Sequence, residues 1–400
     1  MRVSRSKASQ WLLLVLLTLP HLKPAYFGEI PVMDLLFNLW RVVSFAVIMA
    51  RLVLVKQKIS VVAALICIQQ VFLFWVTLLN EGDIFLYAIS AFPIISVALL
   101  YDGMRYDMEV FLSSQLFCFE LVICINLITE LLFPDGMYHS ELYSLNWFLG
   151  YDNTHIIYFI PALMFAWLYK ETTGKKFRTY FLTCTIFASA LLVWSGATLV
   201  ALFGMAFAYA LLKNRTRLFN YFTYWSIHIF FFFFAVVLKF QNIFQWFIDG
   251  VLGKWNSLLV RMTLWDRTLK LISKSLLFGY GFTDESTRVL EGGFRWASHA
   301  HNLLLEILYQ GGLVNLALWV VIVIMAGKKL YRCRNNIESK IIAVAFLGWC
   351  LDCLMEQWTR PFLVGMFIVA YYSNKDDHGK RENMSGPNIV TVNANQELKK

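Results

Sequence analysis

The 400 residues carry 59% hydrophobic side chains, only 15% charged ones and a formal net charge of +9. Soluble domains hold about a quarter charged residues, so this balance excludes an ordinary soluble globular protein. With apolar windows recurring along the whole length, the chain reads as an integral membrane protein, and nothing in it calls for nucleic acid as a partner.

A helix needs about 20 apolar residues to cross a bilayer. The first such window, about 11–27, follows Arg2, Arg5 and Lys7, and no small-residue cleavage site separates it from the next, so it reads as a retained span. Further windows follow at about 34–54, 59–79, 84–100, 108–132, 155–169, 179–194, 197–212, 218–238, 302–325, 341–357 and 361–373. The expected fold is therefore all-α: a polytopic membrane helical bundle of about twelve transmembrane helices in one integral domain, residues 1–373. The polar stretch 374–400 loses the apolar periodicity and is expected to be a disordered cytoplasmic tail.

Charge sets the expected topology. Alternate short connections carry Arg51, Lys56 and Lys58; Lys170, Lys175, Lys176 and Arg178; Lys213, Arg215 and Arg217; and Lys328, Lys329, Arg332 and Arg334. The connections between them are poor in Lys and Arg, so the positive-inside rule places both termini in the cytoplasm of a multi-pass protein. The cysteines lie in spans or beside the basic loop near Arg332, which argues against a disulfide framework. Cys350 and Cys353 have metal-like spacing, but no second pair accompanies them, and no metal or cofactor is expected.

Two segments then face outward with length: Phe133 to Thr154, and a large loop of about 239–301. The second carries Lys254, Arg261, Arg267, Lys270, Lys274, Arg288 and Arg295 against Asp249, Asp266, Asp284, Glu285 and Glu291. Either an anionic substrate outside accounts for this excess, or a long outer loop simply tolerates it.

From Val260 to Leu277 the pattern is helical, with Trp265, Leu269, Ile272 and Leu276 on one face and Arg267, Lys270 and Lys274 on another. The second set resembles a solvated or headgroup-facing stripe. Arg261 instead projects from the middle of the apolar arc, where a guanidinium needs an anionic or carbonyl partner: either a structural carboxylate or a substrate phosphate suited to its planar fork. Gly279-Tyr280-Gly281 and Gly292-Gly293 follow; such glycines either admit close backbone approach to a ligand or simply turn the chain.

The last polar stretch, Arg295-Trp296-Ala297-Ser298-His299-Ala300-His301-Asn302, runs into the apolar Leu303-Leu304-Leu305-Glu306. His299 and His301 precede a helix N-terminus, a place that favours anions such as diphosphate, and imidazole titrates near neutrality. Asn302, Glu306 and Tyr309 align as one polar stripe that faces protein rather than lipid. Glu306 is either functional or half of a buried Glu–Arg pair that fixes the fold.

Taken together, Arg261-x-x-x-Trp265, Leu277-Phe278-Gly279-Tyr280-Gly281-Phe282, Ala300-His301-Asn302-Leu303-Leu304-Leu305-Glu306 and Gly311-Gly312 resemble the signature of the O-antigen ligase and Wzy-type polysaccharide polymerase superfamily, bacterial membrane glycosyltransferases that act on undecaprenyl-diphosphate-linked glycans. Lys23-Pro24-Ala25-Tyr26-Phe27 and Asn146-Trp147-Phe148-Leu149-Gly150-Tyr151-Asp152-Asn153 resemble the capsule-type polymerases more than the lipopolysaccharide ligases. By that resemblance, Arg261 engages the donor diphosphate and His301 is the catalytic histidine, with Arg267, Arg288, Arg295, His299, Asn302, Glu306 and Arg360 as further substrate-binding candidates. The resemblance also implies an inverting, metal-independent enzyme of the bacterial cytoplasmic (inner) membrane that makes capsule or exopolysaccharide. Its partners would be an undecaprenyl-diphosphate-linked oligosaccharide, membrane lipid, a flippase and a chain-length regulator. One departure stands out: where family members often carry an arginine in a Ser-Arg-Gly-like motif, this chain reads Trp194-Ser195-Gly196-Ala197-Thr198, and Arg360, Arg288 and Arg295 are the candidates to replace it as the second phosphate-binding cation. Asn315, in place of a family glycine, is expected to loosen helix packing. Trp147, Trp265 and Trp296 are either sugar-stacking surfaces or ordinary interfacial tryptophans. The competing functional readings are a ligase that transfers to another acceptor and a flippase or transporter of lipid-linked glycans; no internal repeat marks the latter.

Overall fold

Side-chain caps at polar residues explain where several helices begin. Ser60 accepts from the Ala63 N–H, Asp107 from Val110 and Asn220 from Phe222 and Thr223, each satisfying amides that the first helical turn leaves without partners. In this computed structural model, which describes residues 6–56, 58–103, 107–140, 145–239, 255–284 and 299–372, thirteen α-helices follow in order. They are α1 (Lys7–Thr18), α2 (Pro31–Val55), α3 (Val61–Leu79), α4 (Ile84–Gly103), α5 (Met108–Leu132), α6 (Ile156–Thr173), α7 (Phe177–Val193), α8 (Gly196–Phe207), α9 (Tyr221–Phe232), α10 (Trp255–Lys274), α11 (Leu303–Arg332), α12 (Ile337–Asp352) and α13 (Pro361–Tyr372). Among the described residues the only extended pairings are two isolated bridges, Tyr138 with Asn146 and Trp147 with Gly150.

Every apolar window read from the sequence contains a helix, but the helices differ in reach. Five of them, α2, α3, α4, α5 and α11, are long and apolar enough to cross a membrane, whereas Phe177–Val193, Gly196–Leu211, Tyr221–Val237 and Pro361–Tyr372 are shorter apolar helices. The window expected at 341–357 stops being helical at Asp352, and the first window ends in two 3₁₀ turns, Leu19–Leu22 and Ala25–Gly28. The polar tail 374–400 lies outside the described residues, as do 240–254 and 285–298 of the large loop.

The helices share one large apolar core. Phe119, Phe165, Phe346, Phe367, Trp349 and Trp225 lie in it, with α11 packed on α3 and α13, α12 on α8 and α6, and α13 on α4. Aromatic rings meet edge to face within it, as Tyr221 does on Phe346 at 4.9 Å.

The family-like glycines do a specific job here. At Gly311 and Gly312 the backbone of α11 leaves helical geometry, Gly312 with φ 59°, so carbonyls and amides on either side lose their helical partners. The Gly279-Tyr280-Gly281 turn supplies replacements. Tyr280 N–H donates to the Tyr309 carbonyl at 2.9 Å and Gly281 N–H to that of Gln310 at 2.9 Å, while the carbonyls of Leu276 and Leu277 accept from Leu313 and Val314. The fit tolerates no side chain: a Cβ on Gly279 would sit 2.4 Å from the Tyr309 oxygen, and one on Gly312 would sit 2.3 Å from the Leu277 carbonyl carbon. These glycines therefore admit another stretch of this backbone, and they lock the end of α10 onto the break in α11. Asn315 strengthens the joint rather than loosening it, because its amide nitrogen donates to the Ile307 carbonyl at 2.9 Å across the break and its oxygen accepts from Gln69 of α3 at 2.8 Å.

A second anchor seats the loop between α5 and α6. Buried Glu130 accepts from Asn126 and Ser189, each at 2.6 Å, and lies 3.3 Å from His155 Nδ1; the other ring nitrogen of His155 is 3.2 Å from the Gly150 carbonyl. Asn126 also accepts from the Leu149 N–H, so the segment 146–155 is bound to the helices at several points, and Asn153 is held in a fixed place.

Candidate functional site

Glu356 organises the site. It lies in the non-helical stretch between α12 and α13 and is 0% exposed, a position in which a carboxylate needs charged or hydrogen-bonding partners. It has three. Arg261 Nη2 of α10 is 3.0 Å from Oε1, Asn153 Nδ2 donates to the same oxygen at 3.1 Å, and His301 Nδ1 is 3.0 Å from Oε2. A carboxylate oxygen only accepts, so a neutral His301 ring carries its proton on Nδ1 and presents Nε2 as the acceptor nitrogen. The His301 and Arg261 side chains keep 18% and 24% of their surface, enough for each to meet a substrate while paired.

Each member is delivered by a distinct local feature. His301 takes a left-handed backbone conformation, φ 47°, immediately before α11. Asn302 then caps that helix, accepting from Leu304 and Leu305 and donating from its amide to the Leu354 carbonyl at 3.1 Å, which ties the start of α11 to the stretch that carries Glu356. Glu306 accepts from the Ala300 N–H at 3.0 Å and from Gln310 at 2.9 Å, fixing the backbone just ahead of His301. On α10, Leu264, Trp265, Thr268 and Ile272 are buried, and Arg261 begins that stripe one turn earlier. Ser195 Oγ donates to Asn153 Oδ1 at 2.8 Å, which leaves the Asn153 amide nitrogen pointing at Glu356.

The residues singled out from the sequence fall into groups. Arg261 and His301 come together through Glu356. His299 is beside them: its Nδ1 accepts the His301 N–H at 3.3 Å, and the two rings are 4.1 Å apart. Asn302, Glu306 and Tyr309 are buried as a stripe, as the spacing indicated. The expectation of an anion site at this helix N-terminus is corrected, since the Asn302 side chain already occupies the amides that would bind it. Arg267 is half-buried on another flank of α10, and Arg360 is exposed at the start of α13, its guanidinium 5.5 Å from the Trp358 ring centre. Arg288, Arg295 and Trp296 lie outside the described residues. Trp147 and Trp265 are 4% and 1% exposed, which removes both as sugar platforms; Trp147 spends its indole N–H on the Phe133 carbonyl. Leu276 is exposed because α10 ends at Lys274, before the apolar face expected of it is complete.

Three participants were missed: Glu356, Asn153 and Ser195. Glu356 carried a usable signal, an acidic residue closing an apolar window, which is the criterion that singled out Glu306. Asn153 and Ser195 had none beyond their motifs, because neutral polar residues at helix ends are common. Ser195 stands at the edge of this same cluster through its contact with Asn153.

No curated protein sequence matches the chain. A family model does: residues 142–320 match the one described as O-Antigen ligase, a stretch that includes Asn153, Ser195, Arg261 and His301 and stops short of Glu356. The matched stretch, less than half of the chain, is similar to the O-antigen ligase family.

Proposed function

We propose that the chain is a polysaccharide polymerase that transfers a glycan from undecaprenyl diphosphate to a sugar hydroxyl of a second lipid-linked repeat unit, at the outer face of the bacterial cytoplasmic membrane. The observation that carries this reading is the His301–Glu356–Arg261 triangle, which pairs a base with a cation on one buried carboxylate. His301 Nε2 takes the proton of the acceptor hydroxyl, and the oxygen attacks the anomeric carbon of the donor from the side opposite the leaving group, inverting it. The bond between that carbon and the diphosphate oxygen breaks, and its electron pair leaves with undecaprenyl diphosphate. Arg261 and a second cation, for which Arg360 is the described candidate, offset the charge that develops there. Glu356 holds Nδ1–H and stabilises the imidazolium, the role an acid plays behind histidine in hydrolytic triads.

His299, His301 and Glu356 also offer three ligand atoms within 4.8 Å of one another. A divalent cation there would compete with the Arg261 guanidinium 3.0 Å from the same carboxylate, which favours a metal-independent reaction. The grouping of His301, Glu356, Arg261 and His299 in one place favours an enzyme over a transporter. The positive-inside pattern puts Ser195, Asn153, His301 and Glu356 at span ends on the outward side.

Purified protein in lipid vesicles, given lipid-linked repeat units alone, should extend them into longer lipid-linked glycans at a rate unchanged by a chelator. Transfer only onto a different, added acceptor would make it a ligase. Movement of units across the vesicle membrane without new glycosidic bonds would make it a transporter.

A further inference from the structure

Helix α12 joins two places of different character. Its 16 residues run from Ile337 to Asp352, four residues before Glu356, so its first turn stands roughly 24 Å from the candidate site at 1.5 Å per residue. By the charge pattern of the loops, that first turn lies on the cytoplasmic side.

A cavity of about 20 Å3 sits there, between the α8–α9 connection and the start of α12. Lys213, Arg334 and Lys340 line it, and no acidic residue does. Among the described residues none of the three cations has a carboxylate partner; Arg334 Nη1 donates only to the neutral Tyr331 carbonyl, at 3.2 Å. Two buried polar atoms at the cavity lack partners altogether, Arg334 Nε and the Oγ of Ser339, a residue 1% exposed. Asn336 makes no side-chain cap, so the positive end of the α12 dipole adds to the three cations. Hydroxyl, guanidinium and ammonium donors converging at a helix N-terminus suit the oxygens of a phosphate. A space that takes only about one or two water-sized groups admits a phosphoryl group and leaves a sugar or a base outside.

The cavity continues into an apolar groove of about 180 Å3 between α6, α7, α8 and α12, because Tyr209 and Val344 wall both. Ala206 of its lining is exposed and Phe187 is half-buried, so the groove opens sideways between α7 and α8. Phe203, whose ring is 5.8 Å from that of Phe187, is 54% exposed where a bilayer would lie. At the junction α8 passes into a π-helical turn, Ala208–Leu212, a rare geometry that recurs at functional places.

A basic, phosphate-sized cavity that runs into a lateral apolar groove at headgroup level complements an amphiphile with an anionic head. We propose that this composite site holds an anionic phospholipid of the cytoplasmic leaflet, its phosphate bound by Lys213, Arg334, Lys340 and Ser339 and one acyl chain lying in the groove between α7 and α8. The site stands apart from the reacting centre, one helix length away, and does not depend on the glycan reaction. The bound lipid braces the α8–α9 connection against α12, the helix that leads to Glu356.

The test uses full-length protein in phosphatidylcholine nanodiscs that contain, at low mole fraction, a phosphatidylglycerol with a photoactivatable group on its acyl chain. Labelling should concentrate on the peptides that carry Phe187, Ala206 and Val344, and unlabelled phosphatidylglycerol should compete where added phosphatidylcholine does not. Joint replacement of Arg334→Gln and Lys340→Gln should weaken that labelling about tenfold or more through loss of two cations facing the phosphate. Ala206→Trp, which fills the groove from an exposed lining position, should abolish it while size-exclusion and melting profiles show a folded protein. Labelling spread evenly over the lipid-facing helices, equal competition by phosphatidylcholine, or labelling indifferent to both variants would overturn the proposal. Stabilisation by inorganic phosphate with no labelling in the groove would make the cavity a free-anion site and overturn the lipid assignment as well.

Discussion

Glu356→Gln is expected to lower the rate of glycan transfer by about 10²–10⁴-fold while leaving expression and membrane insertion intact, as measured by single-turnover transfer with purified protein. The reason is tautomeric. The carboxylate accepts on both oxygens, from Arg261 and Asn153 on one and from His301 on the other. A glutamine of nearly the same shape keeps one accepting oxygen, which Arg261 claims, and turns an N–H donor toward His301. Nδ1 must then accept, the ring proton moves to Nε2, and the nitrogen facing the acceptor hydroxyl is no longer a base. Packing is conserved, so the loss should appear in kcat rather than in protein yield. Glu356→Ala is a poorer probe, because it removes the shared partner of Arg261 and His301 and confounds chemistry with folding at a cost of about 3–5 kcal/mol for breaking a buried pair.

Arg261 carries the second large effect. Arg261→Ala is expected to cost about 10²–10³-fold in transfer, the scale seen when a group aimed at developing transition-state charge is removed. Unextended repeat units should then accumulate on the lipid. Arg261→Lys separates the two jobs of this side chain. An ammonium can reach Glu356 or the diphosphate, but it lacks the planar fork that serves both at once. Protein levels should therefore recover fully and activity only in part. Full activity in the lysine variant would reduce Arg261 to a structural counter-ion, the alternative that its place on an apolar arc left open.

The placement of the helices and two members of this cluster are legible in the sequence, for identifiable reasons. A span betrays itself locally, through about 20 apolar residues and the basic clusters that flank them. Arg261 is visible because helical geometry shows a cation among apolar neighbours, and His301 because it stands at the mouth of a Leu-rich helix. What joins them is not local: Glu356 lies 95 residues from Arg261, 55 from His301 and 203 from Asn153. It also sits in a non-helical stretch that was read as the end of a span, so no helical face pointed to it. The glycines illustrate the same limit. Gly279, Gly281 and Gly312 announce close approach, but only the fold shows that what approaches is the broken helix α11 at Gly279, Thr77 of α3 at Gly281 and the Leu276–Leu277 backbone at Gly312, rather than a ligand. Asn315 looked like a flaw in a glycine pattern because its partners, Ile307 and Gln69, lie across a break and on another helix.

The central claim is that His301 and Glu356 act as one unit, and a double-mutant cycle measures that directly. Single-turnover transfer from a lipid-linked donor is followed in His301→Ala, Glu356→Gln and the double variant, with folding checked in each. If glutamate works only by orienting and charging the histidine, the double variant is no slower than His301→Ala alone, because the second substitution has nothing left to act on. Losses that multiply, so that the double variant is slower by the product of the two single effects, would contradict the dyad and leave Glu356 as a structural anchor for Arg261.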